Sequence, residues 1–98
     1  ESYLHIITAK RVQEAKEKYP HCESALSGWL RIMKQNIFTN FADLKNSINS
    51  VDKVDDLYVF DIGGNKLRLI ASIKFGRGKV FIKQILAHEE YDEGKWKH

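Results

Sequence analysis

At 98 residues, with hydrophobic side chains making up 43% and charged ones 30%, the chain can fill one modest core and is too short for two. A net charge of +3 and a pI near 9.0 fit an anionic partner without requiring one. The single cysteine, Cys22, excludes an intramolecular disulfide, and His5, His21, His88 and His98 are too scattered for a metal site. No apolar run approaches the ~20 residues of a membrane span. Nothing at the start reads as a signal peptide, and a reducing cytosol is the simplest setting.

In chain order, Tyr3 to Ile7 is a short apolar run that reads as a strand, and Thr8 is placed to cap a helix beginning near Ala9. Val12, Ala15 and Tyr19 recur at helical spacing, with Lys10, Gln13, Glu14, Lys16, Glu17 and Lys18 on the water side. Pro20 ends that helix. Cys22, Ala25 or Leu26, Trp29, Ile32 and Met33 form a second apolar stripe, whose ordinary fate is core rather than ligand box. Phe41, Leu44, Lys45 and Ile48 after Asn40 predict a short helix or turn, and Asn49 to Asp56 reads as a connecting loop.

From Leu57 the hydrophobic period changes from 3.6 to 2, the mark of antiparallel strands. Leu57 to Ile62 turns at Gly63-Gly64 into a long strand, Asn65 to Phe75, and Gly76-Arg77-Gly78 reverses the chain into Lys79 to Ala87. A two-residue turn would set Ile62 opposite Asn65, Phe60 opposite Leu67 and Val59 opposite Arg68. Strand alternation then sorts the faces. Tyr58, Phe60, Ile62, Leu67, Leu69, Ala71, Ile73 and Phe75 point to the core, while Lys66, Arg68, Ile70, Ser72 and Lys74 point to water. An even-length loop before Lys79 adds Val80, Ile82 and Leu86 to the core and leaves Lys79, Phe81, Lys83 and Ile85 beside Arg68. A one-residue slip would bury Lys83, where an unpaired ammonium costs several kcal/mol. The whole chain, residues 1–98, is thus expected to be one α+β domain of two layers, its N-terminal strand and two helices packed on one face of a mainly antiparallel sheet.

The other face interleaves cations with Phe81 and Ile70, a pattern suited to backbone phosphates and a stacked base. On pattern alone it fits a solvated sheet carrying ordinary lysines equally well. His88 follows the strand that bears Lys83, and Tyr91 lies three residues on, within one helical turn.

At these residues the chain resembles the HigB-type toxins of bacterial toxin–antitoxin pairs, within the RelE-like mRNA interferases. The likeness covers Leu4-His5-Ile6-Ile7-Thr8-Ala9-Lys10, Phe41-Ala42-Asp43-Leu44-Lys45, Ile62-Gly63-Gly64-Asn65-Lys66-Leu67-Arg68 and His88-Glu89-Glu90-Tyr91-Asp92, and it is the order and spacing together that are specific. The resemblance implies a RelE-like two-layer fold whose open face receives mRNA in the ribosomal decoding site, in the bacterial cytoplasm. It implies metal-independent endoribonuclease activity with no cofactor. It also implies a cognate HigA-type helix-turn-helix antitoxin, with operator DNA contacted only through the toxin–antitoxin complex and no membrane involved. Carried over by position, the family's basic strand residues fall on Lys66 and Arg68, its next-strand cation on Lys83, and its C-terminal pair on His88 and Tyr91. Two departures stand out: Lys83 occupies a place where the family often has arginine, losing bidentate phosphate contact, and Ala87 one where it often has a hydroxyl residue.

Attack of a ribose 2′-hydroxyl on the adjacent phosphate needs a base, a stabiliser of the developing charge and an acid for the leaving oxygen. Arg68 and Lys83 suit the charge, His88 suits proton transfer near neutral pH, and Tyr91 suits orienting the substrate or giving a proton. Asn65, Lys66, Lys74, Lys79 and Phe81 are the candidates for holding RNA. The same residues would also serve a non-catalytic RNA- or DNA-binding module, or a docking surface for an acidic protein partner.

Overall fold

The computed structural model describes residues 5–7, 9–64 and 66–94. Among them, five strands form one mixed sheet in the order β1-β5-β4-β3-β2. The strands are β1 His5–Ile7, β2 Asp52–Val54, β3 Leu57–Ile62, β4 Leu67–Lys74 and β5 Lys79–Ala87; the helices are α1 Lys10–Lys18, α2 Glu23–Gln35, α3 Phe41–Ser47 and α4 His88–Asp92. The expected α+β, two-layer architecture is present. Tyr3, Leu4 and the proposed cap Thr8 lie outside the described residues.

The helical stripes bury as their spacing requires except at Ile32, which is 38% exposed. Val12 and Ala15 of α1 and Leu26, Trp29 and Met33 of α2 join Phe60, Leu67, Leu69, Ala71, Ile73, Val80 and Ile82 of the sheet in one core, the apolar burial that dominates folding. Trp29 meets Phe60 edge-on, ring centroids 5.3 Å apart. Asn40 caps α3 by accepting from the Asp43 backbone N–H at 2.9 Å. The Thr39 hydroxyl and then its backbone N–H hold the Asp43 carboxyl below its usual range.

Several registers differ from expectation. The first turn is four residues long, so Ile62 pairs with Leu67, Phe60 with Leu69, Val59 with Ile70 and Asp61 with Arg68. Because two and four are both even, the faces are as predicted although every partner has moved by two. Gly63 and Gly64 take positive φ of 65° and 63°, and a Cβ on Gly63 would stand 3.2 Å from Cys22 Sγ, so this corner selects glycine twice over. The long strand is Leu67–Lys74, with Phe75–Arg77 in a 3₁₀ turn. The segment read as a loop contains β2, which pairs with β3 through a tight turn at Asp55 and Asp56, Asp55 accepting a φ of 55°.

The largest correction concerns β5. The ladder runs regularly from Lys74↔Lys79 to Ala71↔Ile82, then Ile70 pairs with Gln84, leaving Lys83 as the extra residue of a β-bulge. Facing reverses beyond it. Ile85 packs against the main core, whereas Leu86, expected there, packs on the opposite face with Val59, Ile70, Val54, Leu57 and Tyr91. That second cluster also overturns the expectation that Ile70 is solvated: it is 1% exposed, and Ser72 is buried as well. The bulge reconciles two demands, keeping Lys83 exposed and the strand's end covered on both sides.

Leu69→Ala, which empties a fully buried site in the middle of β4, should lower stability by about 2–5 kcal/mol in urea titration. Deleting Lys83 should cost far less, because Gln84–Ala87 keep their partners opposite Ile70–Leu67. Loss of the β4–β5 cross-strand NMR contacts in the deletion variant would show that the bulge is needed for assembly.

Candidate functional site

β4, β5 and α4 meet at one end of the open sheet face, and Arg68 is the hub. Its Nε donates to Asp61 Oδ1 at 3.1 Å across the hairpin that sets the two residues opposite each other. Its Nη1 donates to the Leu67 carbonyl at 3.4 Å, and its Nη2 stands 3.4 Å from His88 Nδ1. The guanidinium carbon lies 5.3 Å from the centroid of the Tyr91 ring, a cation–π distance. With the side chain only 11% exposed, these partners account for a cation that would otherwise be costly to cover.

His88 is held by its backbone and by its ring. Its N–H donates to the Lys66 carbonyl at 3.2 Å, continuing the ladder after Ala87 pairs with Leu67. Its Nε2 lies 3.1 Å from Asp92 Oδ2, one helical turn on. A guanidinium has donors and no acceptor, so a hydrogen bond between Nη2 and Nδ1 calls on the Nδ1 lone pair, while Nε2 faces the Asp92 carboxylate. α4 itself is anchored by Glu90, whose Oε1 accepts from the Ala87 N–H at 3.1 Å and from the Tyr19 hydroxyl of the α1 end at 3.4 Å.

Of the residues selected from sequence, Arg68, His88 and Tyr91 are brought together. Lys66 is exposed at the turn beside them, and Asn65 lies outside the described residues. Lys83, expected beside Arg68, is the bulge residue; its Nζ sits 6.0 Å from the Phe81 ring centroid, while Leu86 faces Arg68 across the ladder. Phe81 pairs with Ser72, and Lys79 with Lys74. Lys74 is six residues from Arg68 along β4, about 20 Å at roughly 3.3 Å per residue, so this lysine pair forms the far end of a basic track rather than part of the cluster.

Two partners of the cluster, and one residue of the open face, escaped the sequence reading. Asp61 was invisible because the two-residue turn placed Val59 opposite Arg68, although a four-residue turn is the only other short even loop that keeps the apolar faces. Asp92 lies four residues after His88, a spacing that signals side-chain contact once a helix is allowed there. Gln84 reaches the open face only through the bulge, which left no sequence signal. Among the described residues no group of His, Cys, Asp and Glu is arranged to hold a metal ion, and no helix is long and apolar enough to cross a membrane.

Residues 22–94 match the HigB toxin family, described as the RelE-like toxic component of a toxin–antitoxin system. The chain is 35% identical over 92 residues to the mRNA interferase toxin HigB of Escherichia coli strain K12, covering 91% of this chain and 88% of the relative. It is 35% identical to the mRNA interferase HigB of Shigella flexneri over the same shares, and 34% identical to that of Escherichia coli O6:H1 over 92% and 90%.

Tyr91 joins the outer apolar cluster and the Arg68 guanidinium, so Tyr91→Ala should loosen α4 before it unfolds the sheet. Amide hydrogen exchange at residues 88–92 should quicken markedly. Global stability should fall by only about 1–2 kcal/mol, from a lost cation–π contact and part of an apolar side chain.

Proposed function

The chain belongs to the HigB family of RelE-like toxins, and on that premise we propose that it is an mRNA endoribonuclease that cuts translated message at the Arg68–His88–Tyr91 cluster. The observation that carries the assignment of the site is the 3.4 Å approach of a guanidinium with spare donors to an imidazole lone pair, at the end of a basic sheet face. Residues 1–98 act as one toxin domain in the bacterial cytoplasm. A cognate HigA-type antitoxin neutralises it and joins it on operator DNA.

Message lies along the open face, its phosphates meeting Lys74, Lys79, Lys83 and Lys66 and a base stacking on Phe81. The scissile phosphate reaches Arg68, whose terminal N–H groups stabilise the charge that develops as the 2′-oxygen attacks. When the phosphate draws the Arg68 Nη2–H away from His88 Nδ1, that nitrogen's lone pair is released to take the 2′-hydroxyl proton. Asp92 holds the opposite nitrogen and stabilises the imidazolium that forms. The P–O5′ bond breaks as the 2′,3′-cyclic phosphate closes, and Tyr91, stacked on Arg68, orients the substrate and gives the leaving 5′-oxygen its proton. No metal is required by these steps, and the ribosome supplies the bent geometry that brings hydroxyl and phosphate into line.

The alternative, a basic module that binds RNA without cutting it, rests on the lysine track and Phe81 alone and leaves the His88–Asp92 contact without a task. Mapping mRNA ends after incubation with translating ribosomes separates the two. Cleavage should occur on ribosome-bound message, with naked RNA cut poorly and growth arrested when the chain is expressed alone. Arg68→Ala should slow cleavage about a hundredfold to a thousandfold, and His88→Ala by ~10²–10⁴-fold. Lys74→Ala should mainly weaken binding and flatten its salt dependence. Full cleavage by a stably folded His88→Ala variant would remove the imidazole from the mechanism.

A further inference from the structure

We infer that Asp61 is a positioning residue for cleavage: its carboxylate fixes the Arg68 guanidinium in the orientation that presents the terminal N–H groups to the scissile phosphate. The inference rests on the nuclease reading above and adds a residue to it.

The argument begins with the register. A four-residue turn sets Asp61 directly opposite Arg68, on the face where Val59 and Ile70 form the outer cluster. Directly opposed residues have Cβ atoms about 4.5–5.5 Å apart, which lets the short aspartate side chain reach Nε and no farther along the guanidinium. The observed pair is Nε to Oδ1 at 3.1 Å. An Nε contact is the one that spares both terminal nitrogens. Asp61, Leu67 and His88 engage one N–H each of the five that a guanidinium carries. One N–H remains on each terminal nitrogen, available to a phosphate oxygen.

Two properties favour orientation over charge as the purpose of the pair. Arg68 is already covered by Tyr91 on one ring face, so rotation about its last torsions is limited chiefly by what grips Nε. An aspartate beside a charge-stabilising arginine also subtracts from the positive field that a phosphate meets. If electrostatics alone mattered, removing Asp61 would strengthen Arg68. Positioning requires the opposite sign, because a misplacement near 1 Å in a reacting constellation can cost about a hundredfold.

The test compares the parent chain with Asp61→Ala and Asp61→Asn on ribosome-bound message, reading kcat and KM, thermal stability, and the Arg68 Nε–H signal in proton–nitrogen NMR spectra. Asp61→Ala should lower kcat about tenfold to a hundredfold with KM changed less than threefold, and should lose the slowly exchanging Nε–H signal. Asp61→Asn keeps an acceptor oxygen without the charge, and should recover most of kcat and retain the signal. Parent-like or faster cleavage by Asp61→Ala overturns the inference. So does a rise confined to KM, or an Asn variant as slow as Ala with the signal intact. Loss of kcat that follows a fall in melting temperature in both variants would make the pair merely structural and also overturn it. A parent chain that cuts no message overturns the nuclease reading instead, while the Nε–H signals still decide whether Asp61 orients the guanidinium.

Discussion

β4 is covered on both faces, and the site depends on that constraint. Leu67, Leu69, Ala71 and Ile73 lie under the helices, and Ile70 is sealed on the other side by Val59, Leu86 and Tyr91. A strand enclosed in this way cannot slip by one residue without exposing one apolar set and burying charge on the other face. Arg68, alternating between these layers, inherits a fixed height and direction. The guanidinium is therefore placed by packing first, and refined by Asp61, Leu67 and His88.

The bulge at Lys83 is what lets β5 serve both ends of the sheet. Before it, Val80 and Ile82 fill the main core; after it, Ile85 takes that role and Leu86 is released to the outer cluster, next to Tyr91. If Lys83 took a regular ladder place instead of bulging, Gln84 would turn to the main core and Ile85 to the outer face. The ladder then hands over to α4 at Ala87, and a single helical turn carries His88, Tyr91 and Asp92 around the Arg68 guanidinium. Bulges commonly re-aim side chains, and here the effect is to let the strand end on the turn that carries His88 and Tyr91 rather than on a solvated loop.

The positive charge on this face is divided between two kinds of place. Lys74 and Lys79 face each other at the far end, and Lys83 stands over Phe81, all exposed and suited to sliding contact with a polyanion. Arg68 is covered and ringed by the carboxylates Asp61 and, through His88, Asp92. Under the nuclease reading, long-range attraction and local chemistry fall to different cations, so the track could be weakened without disturbing the geometry at the cluster.

Periodicity and parity in the sequence determined the fold class, the helix stripes and the strands from Leu57 onward, because alternation and helical spacing are local properties that side chains carry with them, whereas Arg68, His88 and Tyr91 were singled out by the resemblance to HigB-type toxins. Only the tertiary structure decided the partners. The turn length that set Asp61 against Arg68 leaves parity unchanged, so no hydrophobic pattern could report it. The bulge that moved Leu86 outward and Gln84 onto the open face arises from competition between two cores for one strand, and each core is assembled from residues far apart in the chain. β2 was hidden for the same reason, since an edge strand of three residues is stabilised by the neighbour it pairs with rather than by its own sequence.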